Sequence, residues 1–66
     1  MDQRSKIAVI GFGVEGQAML KYLVDNGYVD VTVCDKQVRL KDKMPKGVSV
    51  RLGEHYLNGL EEFDVI

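Results

Sequence analysis

The sequence predicts an α/β fold built on a parallel sheet, and three observations carry that prediction. An apolar run from Lys6 to Ile10 passes without a break into Gly11-Phe12-Gly13-Val14-Glu15-Gly16, a segment with helical spacing follows, and a second, β-branched run comes after it from Val29 to Asp35. Strand, helix and strand in this order form a βαβ unit, whose crossover is right-handed and sets the two strands side by side and parallel. With GxGxxG at its first turn the unit is Rossmann-like.

Lys6 to Ile10 has the pattern of a strand covered on both faces, which places the first strand in the middle of the sheet. From Val14 to Asn26 the period becomes that of a helix. Gly16, Leu20, Leu23 and Val24 fall on one face, while Gln17, Lys21 and Asp25 turn outward. Gly27 is placed to end that helix in the left-handed conformation. Val29, Val31 and Val33 then alternate with Asp30 and Thr32, and Cys34-Asp35 closes the second strand.

Lys36 to Gly47 sets Lys36, Arg39, Lys41, Lys43 and Lys46 against the single Asp42. The segment before Met44-Pro45-Lys46-Gly47 has room for a turn or two of helix, and those four residues have the chemistry of a turn. Val48, Val50 and Leu52 alternate with Ser49 and Arg51 as a third strand, which Gly53 breaks. His55 to Leu60 is expected to form a short helix with Tyr56, Leu57 and Leu60 inward, and Phe63 to Ile66 to start a fourth strand. The last run stops almost as it begins. Residues 1–66 are therefore expected to be an incomplete N-terminal domain: a truncated Rossmann-like sheet of about four strands.

With 45% hydrophobic and 29% charged residues, the composition argues against disorder, and a net charge of -1 argues against a nucleic-acid-binding domain. No apolar segment is long enough to span a bilayer. Met1-Asp-Gln-Arg-Ser lacks the apolar stretch of a signal peptide, so a cytoplasmic location is expected. The single cysteine, Cys34, excludes an internal disulfide and cannot make a zinc site by itself.

The chemistry concentrates in the glycine turn. Gly11 allows a tight strand-to-helix turn, Gly13 lets phosphates approach the backbone, and Gly16 lets helix and strand pack closely. Backbone N–H groups of Gly13, Val14 and Glu15, at the positive end of the helix dipole, then face an anion. Asp35 ends the second strand at the distance from the turn where an acidic residue reaches the ribose or base of a bound nucleotide. The plainer alternative is a compact turn and a solvated strand end, but glycines and acid occur together at the right separation and favour a nucleotide or nucleotide-sugar site.

Glu15 would repel a pyrophosphate if it pointed inward and is expected to face solvent. Lys36 adjoins Asp35 and is a candidate contact to base or phosphate, whereas Arg39, Lys41, Lys43 and Lys46 read as a solvated charged surface. Cys34 is expected in the core, opposite Asp35, and His55 in a surface loop. Met19 and Met44 read as packing residues. The sequence holds no Ser-His-Asp set, no metal-ligand motif and no GxxxxGK[ST] loop, so these residues give no support for ATP binding or catalysis.

Three stretches together resemble one family: Lys6 to Leu23 with its glycine turn, Val31-Thr-Val-Cys-Asp35, and Leu52-Gly-Glu-His-Tyr-Leu-Asn-Gly-Leu-Glu-Glu-Phe-Asp-Val-Ile66. They are similar to the N-terminal domain of the Mur ligases, in the D-glutamate-adding branch. The third stretch, with its Leu-Gly-(x)3-Leu-(x)2-Leu-(x)2-Phe-Asp-Val-Ile rhythm, is the more particular, and the family continues beyond it with a Ser-Pro-Gly turn. The resemblance implies a cytoplasmic, three-domain and monomeric enzyme of peptidoglycan synthesis. It uses ATP and Mg²⁺, bound by other domains, to form an acyl phosphate on UDP-MurNAc-L-Ala, which the amine of D-glutamate attacks.

In that family the N-terminal domain does no chemistry and holds the UDP end of the substrate. Carried over by position, Gly11, Gly13, Val14, Glu15 and Gly16 surround the diphosphate, and Asp35 with Lys36 contacts the uracil. This chain departs from the family at Glu15, where a hydroxyl residue is frequent, and at Lys36, where a small polar residue is common. Other readings of the glycines and acid are an NAD(P)-binding oxidoreductase domain or a nucleotide-sensing regulatory domain, with Asp35 on the adenosine ribose. A third is a segment that binds nothing by itself.

Overall fold

The computed structural model describes residues 2–66. Its order is β1 (Ile7–Ile10), α1 (Val14–Asp25), β2 (Val31–Asp35), a 3-10 helix (Val38–Lys43), β3 (Ser49–Leu52) and a second 3-10 helix (Leu60–Glu62). The three strands form one parallel sheet in the order β1-β2-β3, with Val9 opposite Val33 and Asp35 opposite Leu52. The expected Rossmann-like start is present.

β1 is central, and its backbone shows how. Adjacent N–H groups of a strand point to opposite edges. Ile7 donates to Asp30 O (2.9 Å) on the β2 side, while Ala8 donates to Val65 O (2.9 Å) on the other. The tail thus crosses to the far edge of β1, where the expected fourth strand is reduced to a parallel bridge between Ile7 and Val65. Lys6 braces this edge, its N–H donating to the Asp64 carboxylate (2.7 Å).

Side chains alternate across the sheet. Ile7, Val9, Val31 and Val33 pack with Leu20 and Leu23 of α1, and Met44, Val48 and Val50 close that layer. Ala8, Cys34 and Phe63 make a second cluster with Tyr56 and Leu60. Because both faces are covered, Thr32 is buried with the valines of β2.

The helix ends as expected. Gly27 has φ +81 and donates to Val24 O, while Tyr28 donates to Leu23 O, a Schellman closure. This closure occupies Gly27 and Tyr28 and leads into a link, so β2 begins at Val31. Val29, expected in the strand, is 69% exposed. Val24 and Met19 are also exposed, although the spacing put Val24 inward and Met19 among packing residues. Burial in α1 is confined to Leu20 and Leu23, because the small sheet covers only a narrow stripe of the helix.

His55 to Leu60 is not the short helix expected there. It runs as turns, and Gly59, left-handed at φ +74, delays regular structure to Leu60–Glu62. Leu57 is exposed in consequence, while Tyr56 and Leu60 do pack inward. No helix among the described residues is long and apolar enough to cross a membrane.

Candidate functional site

The site is the turn between β1 and α1, at the carboxyl edge of the sheet. Beyond β3 the chain returns beneath the sheet to the other side of β1, so the strand order reverses about β1, and such a topological switch point is where open α/β sheets leave a crevice. Gly11, at φ +83, donates to Cys34 O (2.7 Å), which ties the turn to β2. At Gly16 a Cβ would overlap the Gly11 carbonyl and lie 3.6 Å from Val9 Cγ1, so only glycine lets α1 approach β1 this closely. Gly13 has open space where its Cβ would be.

Gly13 also caps α1 with extended backbone and without a side-chain hydrogen bond. The first bond into the helix is Gln17 N–H to Gly13 O (2.9 Å). Among the described residues nothing accepts from the N–H groups of Gly13, Val14, Glu15 or Gly16. A helix start whose donors are unsatisfied, facing open space, is fitted to receive an anion.

Asp35 stands beside this turn in a way the sequence did not disclose. On the α1 face of β2, its Oδ2 accepts the Phe12 N–H (2.8 Å) and its Oδ1 the Gln37 N–H (2.8 Å). A groove of about 660 Å³ opens next to it, bounded by Phe12, Gly13, Gln17, Leu20 and Lys21 on one side and by Gln37, Arg39, Leu40, Lys43 and Pro45 on the other. The wall is mixed, with the apolar Phe12, Leu40 and Pro45 beside amide groups, cations and the carboxylates of Asp25 and Asp35.

The structure therefore brings Gly13 and Asp35 to one groove. It does not bring Lys36 there: that side chain is exposed outside the lining. Glu15 is exposed, as expected, and with Gly16 borders a second, apolar groove of about 460 Å³ between α1, β1, Val65 and Ile66. Val14 is 85% exposed. Phe12, Gln17, Gln37, Arg39 and Lys43 were not singled out from the sequence as site residues, and Arg39 and Lys43 were read as solvated surface. An Asp followed two residues later by a free N–H is a turn signal, and Asp35-Lys36-Gln37 carries it.

Cys34 is fully buried, and burial pushes its thiol pKa up although Arg51 opposes the shift. His55 lies exposed in the turns after β3. On the face away from α1, Arg51 bonds Glu62 (2.8 Å) and Asn58 O (2.8 Å), and Lys6 bonds Glu62 (3.1 Å). Both cations stand over the Phe63 ring. The hydrogen bond from Arg51, then that from Lys6, holds the Glu62 carboxyl below its ordinary range. This group closes the tail onto β3 and lies apart from the groove. Among the described residues no three His, Cys, Asp or Glu side chains are grouped to fit a metal ion.

No family model and no solved structure matches the chain. Curated relatives do. The chain is 40% identical over 67 aligned residues to a UDP-N-acetylmuramoylalanine–D-glutamate ligase of Clostridium botulinum (strain Hall), covering 92% of this chain and 14% of the relative. It is 35% identical over 71 residues to the ligase of the same name in Clostridium novyi (strain NT), covering 97% and 15%. The resemblance to D-glutamate-adding ligases is borne out over nearly the whole chain. The chain spans about one seventh of the length of these relatives.

Proposed function

We propose that this chain is the N-terminal, UDP-holding part of an ATP-dependent cytoplasmic ligase that adds D-glutamate to UDP-MurNAc-L-Ala in peptidoglycan synthesis. The observation that carries the proposal is the open row of N–H groups from Gly13 to Gly16 at the start of α1, at the switch point of the sheet. That geometry suits a diphosphate, and the names of the relatives support a uridine nucleotide as its source. Gly13, Val14, Glu15 and Gly16 then meet the diphosphate through their backbone N–H groups, Gly11 shaping the turn, with Asp35 toward the uracil and Lys36 outside the groove.

The part of the enzyme in this chain binds and does not catalyse. Binding energy gathered at the remote nucleotide end positions a carboxylate reacting elsewhere. ATP and Mg²⁺ belong to the remainder of the enzyme.

An NMR titration of the 66-residue chain with UDP, UDP-MurNAc-L-Ala and NADH tests the proposal. The amides of Gly11 to Gly16 are expected to shift with both uridine compounds. A response to NADH with none to the uridine compounds would overturn it in favour of a dinucleotide-binding domain.

A further inference from the structure

Asp35 accepts three hydrogen bonds at the carboxyl edge of the sheet. Its two carboxylate oxygens accept from Phe12 and Gln37, 2.8 Å each, and its main-chain oxygen accepts from Gly53 (3.0 Å). The residue before it, Cys34, holds Gly11 by its carbonyl. Phe12 lies between the left-handed Gly11 and the open Gly13, so fixing its N–H fixes the peptide that leads into the row of free donors.

We infer that Asp35 is a positioning residue for the phosphate turn: its carboxylate holds the Gly11–Phe12 peptide and thereby orients the N–H groups of Gly13 to Gly16. This rests on the anion-binding reading above and extends it, since in that reading Asp35 serves the base. A half-buried carboxylate accepting two backbone N–H groups makes stronger bonds than a neutral acceptor, and both loops are tied to the rigid end of β2. Preordering the turn removes an entropy cost from ligand binding. Two effects compete when the charge is removed: an anion gains from the lost repulsion, and it loses the ordered turn. The inference assigns the larger effect to order.

Inorganic pyrophosphate, which has no base, separates the roles. In the 66-residue chain, Asp35→Ala is expected to weaken pyrophosphate about tenfold or more, as loss of charge-assisted hydrogen bonds implies. Asp35→Asn, which keeps one acceptor oxygen, is expected to fall between. Amide hydrogen exchange at Phe12 and Gln37 should be slow in the wild type and speed up together in both variants, with circular dichroism reporting the fold.

Unchanged or tighter pyrophosphate binding with weakened uridine binding would overturn the inference and leave Asp35 as a base contact. If the wild type binds neither pyrophosphate nor UDP, the proposed function fails, while exchange still decides on the clamp. Unprotected Phe12 and Gln37 amides in the wild type overturn it even where a variant fails to fold.

Discussion

Gly16→Ala and Gly13→Ala place the same methyl group in the same turn with unequal consequences for stability. At Gly16 the Cβ would overlap the Gly11 carbonyl oxygen and lie 3.1 Å from its carbon, and this neighbour is backbone, held in place by the Gly11 N–H bond to Cys34 O. α1 must therefore move away from β1. Forcing extra volume into such packing costs about 1–3 kcal/mol, while alanine inside a helix recovers at most about 1 kcal/mol over glycine. With that full recovery the net loss is up to about 2 kcal/mol, which for a domain of this size lowers Tm by up to about 15 °C.

At Gly13 the Cβ meets nothing within 4 Å and φ is -75, so the folded state tolerates alanine and Tm should hardly change. Thermal and urea unfolding of both variants, followed by circular dichroism, measures the contrast. If Gly16→Ala proves as stable as Gly13→Ala, the close approach of helix and strand is not what the third glycine serves.

Two further outcomes follow from the charged and buried groups. The folded-state pKa of Glu62 is depressed by Arg51 and Lys6, so its stabilising contribution is present above the ordinary glutamate pKa and is lost as pH falls through the lower folded value. Urea midpoints across that acidic range should fall less steeply in Glu62→Gln than in the wild type. Cys34 shifts the other way: burial raises its pKa, so its contribution is full below the ordinary thiol pKa and disappears as pH rises through the folded value. The native thiol should resist a thiol-specific disulfide reagent at neutral pH and react at the rate of unfolding, and rapid native reaction would contradict its burial.

The elements read most clearly from the sequence were those with local causes. β1, α1 and the Gly27 stop depend on an apolar run, a helical period and one left-handed residue, and each stands within a residue or so of its expected place. The burial of Thr32 has no local cause: Phe63 and its neighbours return from the far end of the chain to cover that side of the sheet. The short helix at His55 was misplaced because Gly59 breaks the turn pattern at the point where Arg51 reaches over to Asn58 O.

At the site, the glycines were legible from their spacing, and Gly11 and Gly16 each do something only glycine permits. The Asp35 bond to Phe12 joins two distant parts of the chain, and the part of Arg39 and Lys43 in the groove depends on where the 3-10 helix at Val38–Lys43 lies across it from α1; no local period encodes either.

The three glycines divide packing from binding. Gly16 brings α1 close enough to β1 for the helix start to sit at the switch point, and Gly11 turns the chain so that its N–H is spent on β2. Gly13 supplies no cap of its own, and that missing side chain leaves the first-turn donors unsatisfied. A Ser, Thr or Asp there would cap the helix and stabilise it by about 1 kcal/mol, but its side-chain oxygen would take a donor that an anion needs. Glycine at position 13 thus forgoes stability at the point where the turn stays open, and the rigidity this demands is recovered through Asp35 and the close contact at Gly16.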